Sequence, residues 1–218
     1  MNRTRWFLVV AMSLVGLVGA LWASRQGAGW PAAAGLTAVE VGLAVAVAVW
    51  RRDALLGRLA LFGLVAGFAE LPADVLSVRI FQTLVYPPEP LIWASPAYMP
   101  FSWMAVMVQM GLVTWLLLPR LGRWRTSALM ALIGATYVVT YECLAHGANF
   151  WVYQDCPMLF GLAPYYVMAA EALILAALPW LVQGIEALSP SRAARRGLLA
   201  GAVMFGATLL AHALLTVR

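Results

Sequence analysis

The chain has 218 residues, of which 64% are hydrophobic and 11% charged, and its mean hydropathy is +0.86. Soluble domains carry about a quarter charged residues. The composition therefore excludes a soluble module and predicts a single integral-membrane helical domain over residues 1–218. All 14 basic residues are arginine; a retinal Schiff base needs a lysine amine, so an ordinary rhodopsin is excluded too.

A spanning helix needs about 20 apolar residues. On that rule helices are expected near 6–23, 30–50, 54–78, 97–118, 127–149, 164–187 and 197–216. The first follows Arg3-Thr-Arg5 and resembles a signal peptide. Its long apolar run, and Leu21 in place of a small residue, point instead to a first transmembrane helix. Between the helices, Arg3, Arg5, Arg51, Arg52, Arg58, Arg120, Arg123, Arg125, Arg192, Arg195 and Arg196 fall on one side of the membrane. Arg25, Arg79 and Arg218 fall on the other. The net charge of +5 is thus a topology signal rather than a nucleic-acid surface. It predicts a cytoplasmic N-terminus and an outer C-terminus. The expected class is an all-α polytopic protein, a seven-transmembrane-helix bundle of a bacterial inner (plasma) membrane.

The two outer loops, about 79–96 and 150–163, are the least regular segments. Tyr86-Pro-Pro-Glu-Pro90 cannot be helical throughout. Their aromatic content predicts either a lid folded over the bundle or an interfacial belt. Cys143 and Cys156 form no CxxC pair, and Cys143 reads as small apolar filler.

A helical hairpin recurs after roughly 70 residues, in predicted helices 3–4 and 5–6. After Glu70 come Val85-Tyr86 and, twelve residues on, Tyr98; after Glu142 come Val152-Tyr153 and, twelve on, Tyr165. Carboxylates inside a membrane segment are costly and mark functional sites by default. Two placed alike in a repeat point to a site between the halves. Asp74 lies one turn from Glu70, and His146 one turn from Glu142, where it is expected to form an acid–base pair. Glu171 falls in the same outer half, Glu40 in mid-helix, and Gln109 shares a face with Ser102. Several carboxyl groups crowded into one low-dielectric cavity cannot all ionise, so one is available as an acid. Trp93, Tyr98, Trp103, Trp151, Tyr153 and Tyr165 are expected to line the cavity and stabilise cations with their π-faces.

Tyr141-Glu142, Trp151-Val-Tyr153 and Pro164-Tyr165-Tyr166 resemble motifs of small integral-membrane terpene cyclases, of the fungal meroterpenoid and bacterial drimane-type pathways. More distantly they resemble carotenoid hydratases and the small lycopene cyclases. The resemblance covers about residues 65–175. It implies some seven helices, no metal or other cofactor, a lipophilic isoprenoid substrate drawn from the membrane, and proton-initiated cyclisation or hydration by buried acids, here Glu70 and Glu142. The P-x-E-E pattern of lycopene cyclases is absent, since Glu171 lies seven residues after Pro164, and the last helix carries no acid. A second class also fits repeated hairpins with membrane acids, namely a proton-coupled transporter or lipid-binding protein. A third reading uses the acids for packing alone.

Overall fold

A computed structural model describes residues 2–216; Arg218, assigned above to the outer side, lies outside the described residues. The fold is all-helical, with helices α1 (Asn2–Gln26), α2 (Gly29–Trp50), α3 (Ala54–Val75), α4 (Met99–Ala148), α5 (Tyr165–Val182) and α6 (Pro190–Leu215). All six are long and apolar enough to cross a membrane.

The longest, α4, joins what the sequence divides at 118 and 127. Its 50 residues would reach about 75 Å as one rod, more than twice a bilayer core. The rod is broken at Gly122, whose φ of 71° and ψ of 170° suit a residue with no Cβ. Both ends of α4, Met99 and Ala148, belong to one apolar cluster, so the element folds back on itself as a hairpin. The residues around Gly122 stay helical, so the division expected between 118 and 127 is a sharp kink rather than a loop. The expected helix 164–187 stops earlier, at Val182, because Gly184 takes a left-handed turn (φ 68°). The last helix starts earlier than 197. Ser189 caps it by accepting from the Arg192 N–H, and Pro190 occupies the first turn.

One end of the bundle is tied by arginines. Arg5 holds Asp53 in a bidentate pair, both contacts 2.9 Å, and its guanidinium lies 4.7 Å from the Trp115 ring centre. Asp53 also caps α3 through Leu55 and Leu56 N–H groups. Burial opposes ionisation of Asp53, but the Arg5 hydrogen bonds and charge and the two N–H donors outweigh it. The carboxyl is held below the usual aspartate range. Arg58 donates to Leu188 O, Arg123 to Gln183, and Arg196 to Leu181 O and Gln183 O. Every helix junction at this end is thereby cross-linked.

At the other end the two long loops carry short strands: β1 (Leu84–Val85), β2 (Leu91–Ile92) and β3 (Ser95–Pro96), then β4 (Val152–Tyr153), β5 (Met158–Leu159) and β6 (Ala163–Pro164). β2 pairs with β3 and β5 with β6, while β1 pairs antiparallel with β4 across the two loops. Left-handed residues fall at Gln82 and Asn149, and at Trp93 and Phe160, both pairs 67 residues apart (82 to 149, 93 to 160). Val85 lies opposite Val152, at that same separation. An antiparallel pair whose members are each other's counterparts is what a local two-fold axis produces. The repeat is therefore real, and its axis passes between Val85 and Val152.

Small residues let the helices of each half approach closely. A Cβ on Gly67 would meet the backbone of Pro100, and one on Gly134 would sit 2.5 Å from Glu171 O. Gly67→Ala and Gly134→Ala are each expected to cost roughly 1–3 kcal/mol through overpacking. Gly42→Ala, which enters open space, should be neutral or gain up to about 1 kcal/mol. Thermal unfolding of the purified variants in one detergent checks the contrast.

Candidate functional site

A cavity of about 200 Å³ lies inside the bundle and is lined by all six helices. Glu40 comes from α2, Glu70 and Asp74 from α3, Trp103 and Glu142 from the two arms of α4, and Glu171 from α5. The loops roof it with Tyr86, Trp151 and Tyr153.

Two acids are held by loop donors in matching fashion. Asp74 Oδ2 accepts from the Tyr86 hydroxyl at 2.9 Å and from the Ser95 hydroxyl. Glu142 accepts from Trp151 Nε1 at 2.7 Å and, at 3.4 Å, from the Tyr153 hydroxyl. Tyr86 and Tyr153 are counterparts in the repeat (86 to 153), so Asp74 rather than Glu70 is the structural partner of Glu142. The spacing hides this. Tyr86 is twelve residues after Asp74, but Tyr153 only eleven after Glu142. The extra residue is absorbed by a π-helical turn over Leu76–Ile80, closed by Phe81 N–H to Leu76 O at 2.7 Å. Burial first, then the neighbouring acid charges, hold the Tyr86 and Tyr153 phenols well above their ordinary range. Both act as donors throughout the physiological range.

Glu70 stands one turn deeper than Asp74, and the corresponding position below Glu142 is Val138. Glu70 is 4% exposed, and its Oε2 has no hydrogen-bond partner among the described residues. It lies against Asp74 and Trp103. Gln109, also on the wall, donates to Ser13 at 2.7 Å, and Ser102 pairs with Thr37.

Of the residues expected from the sequence, the structure brings Glu70, Asp74, Glu142, Glu171, Trp103, Gln109, Trp151 and Tyr153 to the cavity. Four others are elsewhere. His146 is exposed and forms no part of the cavity wall. Trp93 is 65% exposed, at the left-handed tip of the β2–β3 hairpin. Tyr98 is buried in the apolar cluster beneath the loops, outside the cavity wall. Tyr165 is exposed, whereas its neighbour Tyr166 faces inward and hydrogen-bonds Thr83 at 2.8 Å. The repeat spacing selects position 165, but the helix phase presents 166. Tyr86, Tyr141 and Glu40 also line the site. The signal for Tyr86 was its match to Tyr153; the proline run around it reads as plain loop.

These features define a polytopic helical membrane protein with a roofed, acid-bearing and aromatic-lined internal cavity. The family described as a domain of unknown function (DUF6989) matches residues 71–215, about two-thirds of the chain, and the protein belongs to that family. The matched segment includes Asp74, Glu142 and Glu171. No curated protein and no solved structure matches the chain.

One acid sits in the roof itself. Glu89, in the proline run, has both carboxyl oxygens covered and without partners among the described residues. Burial pushes it up to about 7 from an ordinary 4.5. A carboxyl raised in the folded state contributes stability below its unfolded pKa, lost as pH rises through the folded one. Thermal midpoints are therefore expected to fall between pH 4.5 and about 7, and Glu89→Gln should flatten that stretch of the profile. An unchanged slope in the variant would assign the pH dependence to other groups.

Proposed function

We propose that this protein is a membrane-embedded enzyme that protonates and cyclises a lipophilic isoprenoid, in the manner of the small membrane terpene cyclases. The observation that carries the reading is the placement of Glu70. It is a buried carboxyl with an unpartnered oxygen, next to a second acid and facing an aromatic cavity that a third acid borders from the opposite half. Asp74 and Glu142 are each supplied with two donors, as acceptor-only carboxylates require. Glu70 has no such supply, which suits the protonated form.

In this chemistry the Glu70 proton adds to a terminal alkene carbon or an epoxide oxygen. The resulting cation is attacked by an internal double bond, forming a ring C–C bond. Loss of a proton from carbon to Glu142 restores an alkene. The electrons balance as an isomerisation, with one proton moved from Glu70 to Glu142. Trp103 and Trp151 present π-faces to the cationic intermediate, and stabilising that intermediate more than the substrate is the catalytic content. Asp74, one turn away, positions Glu70.

Seven spans belong to the same proposal, with the α4 hairpin counted as two, the N-terminus in the cytoplasm of a bacterium and the roofed cavity towards the outer face. The reversal at Gly122 and the gathering of arginines at one end of the bundle support it. The other reading, a proton-coupled carrier, asks for a polar path from the acids to the arginine end. Towards α5 and α6 the cavity wall includes the apolar side chains Ile174, Leu175 and Met204, which offer no such path.

Membranes containing the protein are expected to convert an added prenyl substrate, alkene or terminal epoxide, to a cyclic product of equal mass. Glu70→Gln and Glu142→Gln should each lower turnover by roughly 10²–10⁴-fold, and His146→Ala should leave it intact. Full turnover in both glutamine variants would end the assignment. Proton flux in liposomes without product would favour the carrier.

A further inference from the structure

Glu40 takes no part in the chemistry above, yet it costs the fold a carboxyl in the middle of α2. It lies eleven residues after Gly29 and ten before Trp50, so about 15 Å of helix separates it from either end. A carboxyl at that depth is expensive and is retained for a purpose. Its side chain turns inward: it lines the cavity, and a Cβ on Gly16 of α1 would lie 2.7 Å from Glu40 Oε1. Gly16 thus leaves space that the carboxyl fills. Glu40 makes no hydrogen bond or ion pair with any described residue, unlike Asp74 and Glu142 with their loop donors.

Tyr137 and Tyr141, from the second arm of α4, line the same cavity. Tyr137 is 42% exposed while also lining the cavity, and Glu40 is itself half-buried, so both side chains reach from the cavity towards the bundle's flank. From that flank an aromatic row leads to the acids. Tyr137 stacks on Tyr141 at 6.3 Å, Tyr141 meets Trp151 at 5.9 Å, and Trp151 meets Tyr86 at 6.4 Å. The row ends on Glu142 through Trp151 and on Asp74 through Tyr86. An apolar chain laid along these rings would have one end at the acids and the other at Glu40.

We infer that Glu40, with the Tyr137 and Tyr141 hydroxyls, forms a second polar subsite at a lateral opening of the cavity. It holds a hydroxyl group on the end of a long isoprenoid remote from the end that meets Glu70. The inference rests on the isoprenoid reading and adds the class of substrate, an isoprenoid alcohol rather than a hydrocarbon. Glu40 accepts from the alcohol O–H, and the phenols donate to the alcohol oxygen. The opening at Tyr137 lets the chain enter from the lipid phase.

The test uses the full-length protein in phosphatidylcholine nanodiscs, titrated with geranylgeraniol and with the matching C20 hydrocarbon lacking the hydroxyl. Binding is read from the thermal unfolding midpoint and the quenching of tryptophan emission. The wild type should bind the alcohol about tenfold more tightly than the hydrocarbon, a difference of one good hydrogen bond to a charged or polar group. Glu40→Leu should remove that preference and leave hydrocarbon binding unchanged. Glu40→Gln, which still accepts a hydrogen bond, should keep most of it, and Glu70→Gln all of it. Equal binding of both probes by the wild type, or an undiminished preference in Glu40→Leu, overturns the subsite. The outcome is separable from that of the catalytic reading. A preference lost in Glu40→Leu without cyclised product in the wild type would leave the subsite standing and the cyclase reading refuted. Turnover that depends on Glu70 with no preference for alcohol would do the reverse.

Discussion

A carboxyl group surrounded by hydrocarbon must be given hydrogen-bond donors, because nothing else there replaces its lost water. In this bundle the donors for Asp74 and Glu142 come from the loops, not from neighbouring helices: Tyr86 and Ser95 for the one, Trp151 and Tyr153 for the other. That requirement ties two irregular, proline-interrupted segments to the helix ends. The strands in them are two residues long, too short to hold a sheet together unaided. The pairing of Val85 with Val152 is better seen as the seam between two loops already anchored by their acids. The roof and the cavity beneath it follow from those anchors.

The arginine end is built on a different rule. There Arg5 and Asp53 neutralise each other at the start of α3, and Arg58 and Arg196 close off backbone carbonyls at helix ends. At the roofed end Asp74 and Glu142 have donors but no cation partner among the described residues. The contrast separates the part of the molecule that stabilises the bundle from the part that keeps space open inside it.

Much of this was legible from residue order. The apolar runs and arginine positions located the helices, and the tyrosine spacing exposed the repeat. Eight of the twelve residues expected at the site line the cavity. The failures have a common cause: residue counting assumes one uniform helical geometry. The π-turn at Leu76–Ile80 adds a residue without adding a turn, so Glu70 looked like the partner of Glu142 when Asp74 is. The phase of a helix start decided between Tyr165 and Tyr166, and His146 is exposed although it lies one turn from Glu142. Glu40 was visible as a mid-helix acid. Its surroundings were not, because Gly16, Tyr137 and Tyr141 arrive from other helices.

The two halves share a scaffold yet differ at one position, and the difference gives the proposed chemistry its direction. A symmetric pocket with one tyrosine-anchored acid on each side could stabilise a cation but would have no preferred donor or acceptor. Below Asp74 the helix carries Glu70; below Glu142 it carries Val138. The first half thus holds two carboxyl groups against one set of loop donors, and the oxygen left over is Glu70 Oε2. The second half has two donors for a single acid, so both of its oxygens are supplied. Proton donation from the crowded side and acceptance on the well-supplied side follow from that count of hydrogen-bonding groups. On this view the repeat built the pocket, and a single glutamate off the symmetry of the repeat polarised it.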